Sequence, residues 1–319
     1  MNYDAFIERD LDAIPAVIGA FRADHTTEQT WTAVTRFAVL AFAPSQHSKH
    51  ALLACLSAWD LRAAFGERFD DAIVECAKYA AASRQPWSEP PMLDPPKLAS
   101  DQRGHLEDLR AAIAASDRLR AERWLASRYA DPDLAHDYFT AASDDFEDLG
   151  HKLIVATAAW RLADLLGEKG RYAMLRVGVW EMAAYGGREP GVGDRSTTPD
   201  LESLCASLVT NIVADGGDIV SAHELFLFDA ALQTGDDTVI RRVCDHLRDI
   251  NPTPTPDRRL PASEPPVYRF ARDYGACLKA HAVANRLHSR FPNVDFGDML
   301  AAVHQSLDTA PSFEGMSFA

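Results

Sequence analysis

The chain lacks the features that would mark it for a membrane, an oxidising compartment or a common catalytic family. No run of about 18 uninterrupted apolar residues occurs, so no membrane-spanning helix is expected. The opening residues, MNYDAFIERDLDAIP, carry acids where a signal peptide carries Lys or Arg before an apolar run, and the expectation is a cytoplasmic protein. Cysteine is sparse. Cys55, Cys76, Cys205, Cys244 and Cys277 form no CxxC pair and stand at apolar positions of helical runs, which reads as buried thiols. Positive charge is short too, with 32 Lys and Arg against 47 Asp and Glu and a net charge of −15. Nucleic acid and anionic membrane are therefore not expected as partners. No GxSxG, HExxH or Walker A pattern is present, so the common hydrolases and phosphate-binding enzymes have no support. No segment alternates polar and apolar residues with period two, which leaves an all-α fold.

What the chain does contain is an internal repeat. KHALLACLSAWDLRAAFGER, Lys49 to Arg68, aligns without a gap on GHKLIVATAAWRLADLLGEK, Gly150 to Lys169. His50 matches His151, Trp59 matches Trp160, Leu61 matches Leu162, Gly66 matches Gly167 and Glu67 matches Glu168, each pair 101 positions apart. In both copies the apolar residues fall at helical spacing and a Gly closes the run, as a residue just past a helix end often does. Helical runs precede each copy (Thr30 to Ala43, Leu134 to Ala142) and follow it (Phe69 to Ala82, Tyr172 to Ala184). A weaker third copy reads as Leu201 to Ala214, His223 to Leu232, Gly235, and Thr238 to Leu247. The expected architecture is a helical bundle of two or three repeated three-helix units (about 30–82, 134–184 and the weaker 201–249) around a central cavity, within one domain spanning 1–319.

Local signals complete the outline. Pro15 must kink or divide the stripe from Tyr3 to Phe21, and Thr26 with Gln29 resembles a capping box. Residues 84–100 and 251–266 are proline-rich connectors, the first read as an arm that packs through Trp87, Met92 and Leu93. Leu106 to Ala126 reads as one amphipathic helix with Leu119 off its stripe. The glycines between Tyr185 and Asp200 match no phosphate-binding spacing, and Thr198 with Pro199 reads as a helix cap. A closing helix is expected over Val267 to His288 and a short one over Phe296 to Leu307.

His50, His151 and His223 hold the same place in the three copies, so units packed about a common axis would bring three imidazoles together. Three neutral His ligands suit Zn²⁺, Fe²⁺ or Cu²⁺, and His with carboxylates suits non-haem iron, the leading expectation among divalent transition metals. Asp144, Asp145, Glu147 and Asp148 supply carboxylates just ahead of His151. Asp148 and His136 are the expected catalytic helpers, with His47, His281 and His288 as secondary candidates. The plainer reading of each His is a neutral side chain bonding across the bundle, and Trp59 and Trp160 read as core in preference to an aromatic cage.

The run DLGHKLIVATAAWRLADLLG resembles a segment of the questin oxidase-like family, and also helical regions found in actinobacterial Rieske-domain proteins. The resemblance covers mainly residues 134–184, with a fainter echo at 45–82. It carries over His151 directly, and His50 only through the internal repeat. Fungal members are associated with NADPH-dependent oxidative ring opening of anthraquinones, so the resemblance implies NADPH and a quinone-type substrate. The chain has no CxH…CxxH pattern, which excludes a Rieske cluster. The expected function is an oxidoreductase or monooxygenase-like enzyme acting on a small aromatic or polyketide-like molecule. The alternative is a non-enzymatic helical-repeat module that binds a protein partner or a small-molecule ligand.

Overall fold

Pro15 divides the N-terminal stripe. In a computed structural model, which describes residues 1–42, 48–83, 103–184, 200–251 and 276–308, α1 (Asp4–Ile7) ends before it. α2 (Ile14–Asp24) takes Pro15 into its first turn, where a missing N–H costs no helical bond. α3 (Thr27–Leu40) opens on the expected reciprocal cap: the Gln29 amide donates to Thr26 Oγ1 at 3.2 Å and the Thr26 amide to Gln29 Oε1 at 2.9 Å. α4 (Ser48–Asp60), the single turn α5 (Arg62–Phe65) and α6 (Phe69–Ala82) follow. These helices belong to the first of two compact units, made of Met1–Pro91, Pro265–Ala282 and Leu307–Ala319. Aromatic rings fill its core: Phe6 meets Phe37 at 4.8 Å between centroids and Trp31 meets Trp59 at 4.4 Å. The buried Trp31 indole donates to the Cys55 carbonyl at 2.9 Å, which ties α3 to α4.

The second unit, Met92–Glu264 with Val283–Ser306, begins with a correction to the sequence reading. Leu106 to Ala126 is not one helix but two, α7 (Leu106–Ala114) and α8 (Arg118–Arg128). Ser116 takes a left-handed φ of 52°, and the Asp117 side chain accepts the Arg120 amide at 3.0 Å, restarting the helix after the break. Leu119 is exposed, as its place off the stripe requires. α9 (Leu134–Ala142), α10 (His151–Leu166) and α11 (Glu168–Met182) come next. Gly178 lets α9 approach α11. A methyl group there would sit 1.6 Å from the hydroxyl of Tyr138, which donates to the Leu175 carbonyl at 3.2 Å.

α12 (Leu201–Ala214) is capped by Asp200, which accepts the Ser203 amide at 3.1 Å and takes the role expected of Thr198. α13 (Ile219–Thr234) and α14 (Asp237–Ile250) complete that triplet, and α15 (Ala276–Arg290) and α16 (Gly297–Asp308) close the described chain. Helices occupy every expected position, but the copies differ in form. The middle helix of the first breaks at Leu61, that of the second runs unbroken for 16 residues, and that of the third starts four residues ahead of its His. Among the described residues every regular element is helical, and no helix is long and apolar enough to cross a membrane. All five cysteines are buried, as expected. His47, the arm residues Trp87, Met92 and Leu93, most of both proline-rich stretches, Thr198 with Pro199, and the start of the expected closing helix lie outside the described residues.

Candidate functional site

The second unit's site is built by the short segment that feeds α10. Asp144 is held by two guanidiniums: Arg110 reaches its oxygens at 2.6 and 2.9 Å, and Arg242 at 2.9 Å. The Asp144 pairing also drives the Arg110 pKa further up. Asp145 receives the ammonium of Lys152, a side chain only 1% exposed, at 2.8 and 2.9 Å. Phe146 stacks on His246 at 4.5 Å, and burial holds that imidazole below its usual range against the pull of Asp249. Two of the four expected carboxylates are thus spent on structure, and of the other two Asp148 approaches a candidate His.

Asp148, Leu149 and Gly150 then turn left-handed in succession, with φ of 52°, 58° and 76°. Two consecutive residues with a Cβ in this region are uncommon and strained. The turn delivers the Asp148 carbonyl to the His151 ring, whose Nδ1 donates to it at 2.5 Å, and sets the Asp148 carboxylate 3.4 Å from the same nitrogen. Leu149 is exposed, so its side chain does not hold the turn in place. Leu149→Gly is therefore expected to raise stability by up to about 1 kcal/mol, because the relieved left-handed strain exceeds the added freedom of the unfolded chain. The check is the midpoint of urea unfolding at unchanged slope. A lowered midpoint would show that the leucine itself is needed.

His223, the fifth residue of α13, also commits its Nδ1 to its own backbone, donating to the Ile219 carbonyl at 2.6 Å. The two imidazoles lie side by side with centroids 4.7 Å apart and planes at 53°, at 4% and 6% exposure. Phe226 closes edge-on against His223 at 5.3 Å. A carbonyl can only accept, so in both rings Nδ1 carries a proton. Two positive charges at this spacing, one of them at a helix N-terminus, would repel each other and the helix dipole, whereas Asp148, 3.4 Å from His151 Nδ1, would favour a charge on that ring.

The other candidates lie on other helices. His50 belongs to the first unit, where Lys279 Nζ lies 2.8 Å from its Nδ1. His136 is exposed, and its Nδ1 lies 2.7 Å from Asp236 Oδ2, at the cap of α14. His281 and His288 both lie on α15, the latter edge-on to Phe296. Among the described residues no group of three or more His, Cys, Asp and Glu side chains is arranged to hold a metal ion. No protein-family model, curated protein or solved structure matches the chain.

Proposed function

We propose that the chain is an enzyme of small aromatic or polyketide-like molecules, in which the His151–His223 pair takes a proton from an acidic hydroxyl of the substrate. The observation that carries this reading is the pair itself, two buried imidazoles 4.7 Å apart with each Nδ1 committed to a backbone carbonyl. A phenol or enol hydroxyl within reach passes its proton to one Nε2, and the other ring stays neutral and holds the resulting oxyanion's neighbour as acceptor. Asp148, 3.4 Å from His151 Nδ1, stabilises the imidazolium formed there and keeps the ring oriented.

The likeness of residues 134–184 to questin oxidase-like proteins supports the substrate class, and with it a monooxygenation after deprotonation in which dioxygen would be the oxidant, one oxygen atom entering the substrate and the other leaving as water with two electrons from NADPH. Iron or another transition metal at the same pair would need at least one ligand from outside the described residues. The proton transfer needs none of these groups.

The test is a spectral titration with 2-hydroxyanthraquinone, whose phenolate absorbs at longer wavelength than the phenol. At a pH where the free compound is neutral, the wild-type chain is expected to give a saturable red shift that His151→Gln and His223→Gln abolish with helical circular dichroism intact. Where NADPH is consumed with the same compound, each variant is expected to lose roughly 10²–10⁴-fold in rate. No shift with the wild type, or a shift that survives in both variants, sinks the proposal. A shift without turnover would make the pair a binding site alone.

A further inference from the structure

The repeated tryptophans are neither plain core nor empty cage. Both are half-buried, both rest on other aromatic rings, and both carry an arginine on the ring. In the second unit Arg171, from α11, lies 5.0 Å from the Trp160 centroid, and Asp164 pairs with it at 2.5 Å. In the first unit the cation comes from a different position: Arg62, three residues after Trp59, lies 4.3 Å from its ring. Arg62 is exposed and donates to the Trp59 carbonyl at 2.8 Å, but among the described residues no carboxylate pairs with it. In each unit an arginine from a different sequence position lies within cation–π range of the tryptophan ring, so both indoles accept a cation. Only the second unit's arginine is clamped there.

The unclamped one stands in a groove. An open cleft of about 690 Å³ is lined by Trp59 and Phe69 together with Glu28, Glu67 and the ion pair of Arg22 with Asp70 at 3.0 Å. Arg22 is matched by Asp70, and its remaining Nη1 donates to the His25 carbonyl. That leaves one positive side chain, Arg62, against the two carboxylates of Glu28 and Glu67, neither of which has an ion-pair partner among the described residues. The groove is net negative in a chain of net charge −15, which draws cations and repels anions.

We propose that this groove binds a small organic cation of the alkylguanidinium or alkylammonium class, whose head displaces Arg62 from the face of Trp59 and is held by Glu28 and Glu67. Arg62 is the built-in stand-in that covers the ring when the groove is empty. The site is independent of the His151–His223 pair.

The experiment is calorimetric titration of the full chain with n-butylguanidinium, with its uncharged isostere n-butylurea, and with benzoate. The cation is expected to bind saturably and about tenfold more tightly than the urea, which matches it in shape but lacks the charge and has a carbonyl acceptor in place of one NH₂ donor. Glu28→Gln with Glu67→Gln, both exposed and safe for the fold, is expected to weaken it by a similar factor. Arg62→Ala removes the internal competitor and is expected to tighten binding on the order of fivefold. Equal binding of urea and guanidinium, no saturable binding of either, or Arg62→Ala leaving the cation's affinity unchanged or weaker each overturns the proposal. So does benzoate binding that Arg62→Ala abolishes, because Arg62 would then be an anion receptor.

Discussion

Gly217→Ala is expected to destabilise the second unit by about 4 kcal/mol or more, while Gly216→Ala beside it costs only about 1 kcal/mol. Both glycines turn the chain into α13 with positive φ, 71° at Gly216 and 80° at Gly217, so both substitutions incur the same left-handed penalty. They differ in what a methyl group meets. At Gly216 nothing lies within 4 Å, whereas at Gly217 the carbon and oxygen of the Ala302 carbonyl stand 2.1 Å away and the Val303 nitrogen 2.4 Å away. Those are backbone atoms in the middle of α16, so no rotamer change relieves the overlap. One of the two segments must move, and Ala302 and Val303 are both buried. Thermal unfolding resolves the difference, since each kcal/mol shifts the midpoint by roughly 2–4 °C in a unit of this size. Midpoints within a degree of each other would mean that α16 does not pack on this turn.

Much of the fold was written in the spacing of apolar residues, and the failures share a cause. Phe69–Ala82, Leu134–Ala142 and Leu201–Ala214 begin and end where the sequence pattern does. The pattern missed the break between α7 and α8 because Leu109, Ile113 and Trp124 stay in helical phase across it. Periodicity reports which face is buried, and a three-residue interruption that restores the phase leaves no trace in it. The signal that could have found the break was the Asp117 cap.

The site was legible only where the repeat exposed it. Aligning the copies singled out His50, His151 and His223, and the structure brings the last two side by side. The carboxylates before His151 were visible as a cluster, but nothing in their order tells that Asp144 and Asp145 serve Arg110, Arg242 and Lys152 while Asp148 faces the ring. Those partners come from other helices, or from a Lys that composition would assign to solvent. The left-handed turn at Leu149 was invisible for a related reason, since a leucine carries no sequence mark of positive φ.

The second large effect is expected at another buried charge that patterning hides. Glu122 of α8 and Arg176 of α11 pair at 2.8 Å with side chains 2% and 6% exposed. The other Glu122 oxygen accepts the Trp180 indole N–H at 2.8 Å, and the Arg176 guanidinium lies over that indole at 4.0 Å. Removing one partner takes from the other an opposite charge 2.8 Å away, in a place where the two side chains are only 2% and 6% exposed. Glu122→Ala and Arg176→Met are therefore each expected to cost about 3–5 kcal/mol, measured by urea unfolding. The double replacement Glu122→Leu with Arg176→Met takes away both desolvation penalties with both charges, and is expected to fall within about 1 kcal/mol of the wild type. The non-additivity is the test: single variants that each lose less than about 1 kcal/mol would show that the pair is solvated in the folded chain. The same series also separates fold from chemistry. α11 packs on α10, which begins at His151, so the single variants should weaken the anthraquinone shift only as far as they unfold the unit. The double variant, with its stability restored, should recover the full shift, because neither Glu122 nor Arg176 belongs to the imidazole pair.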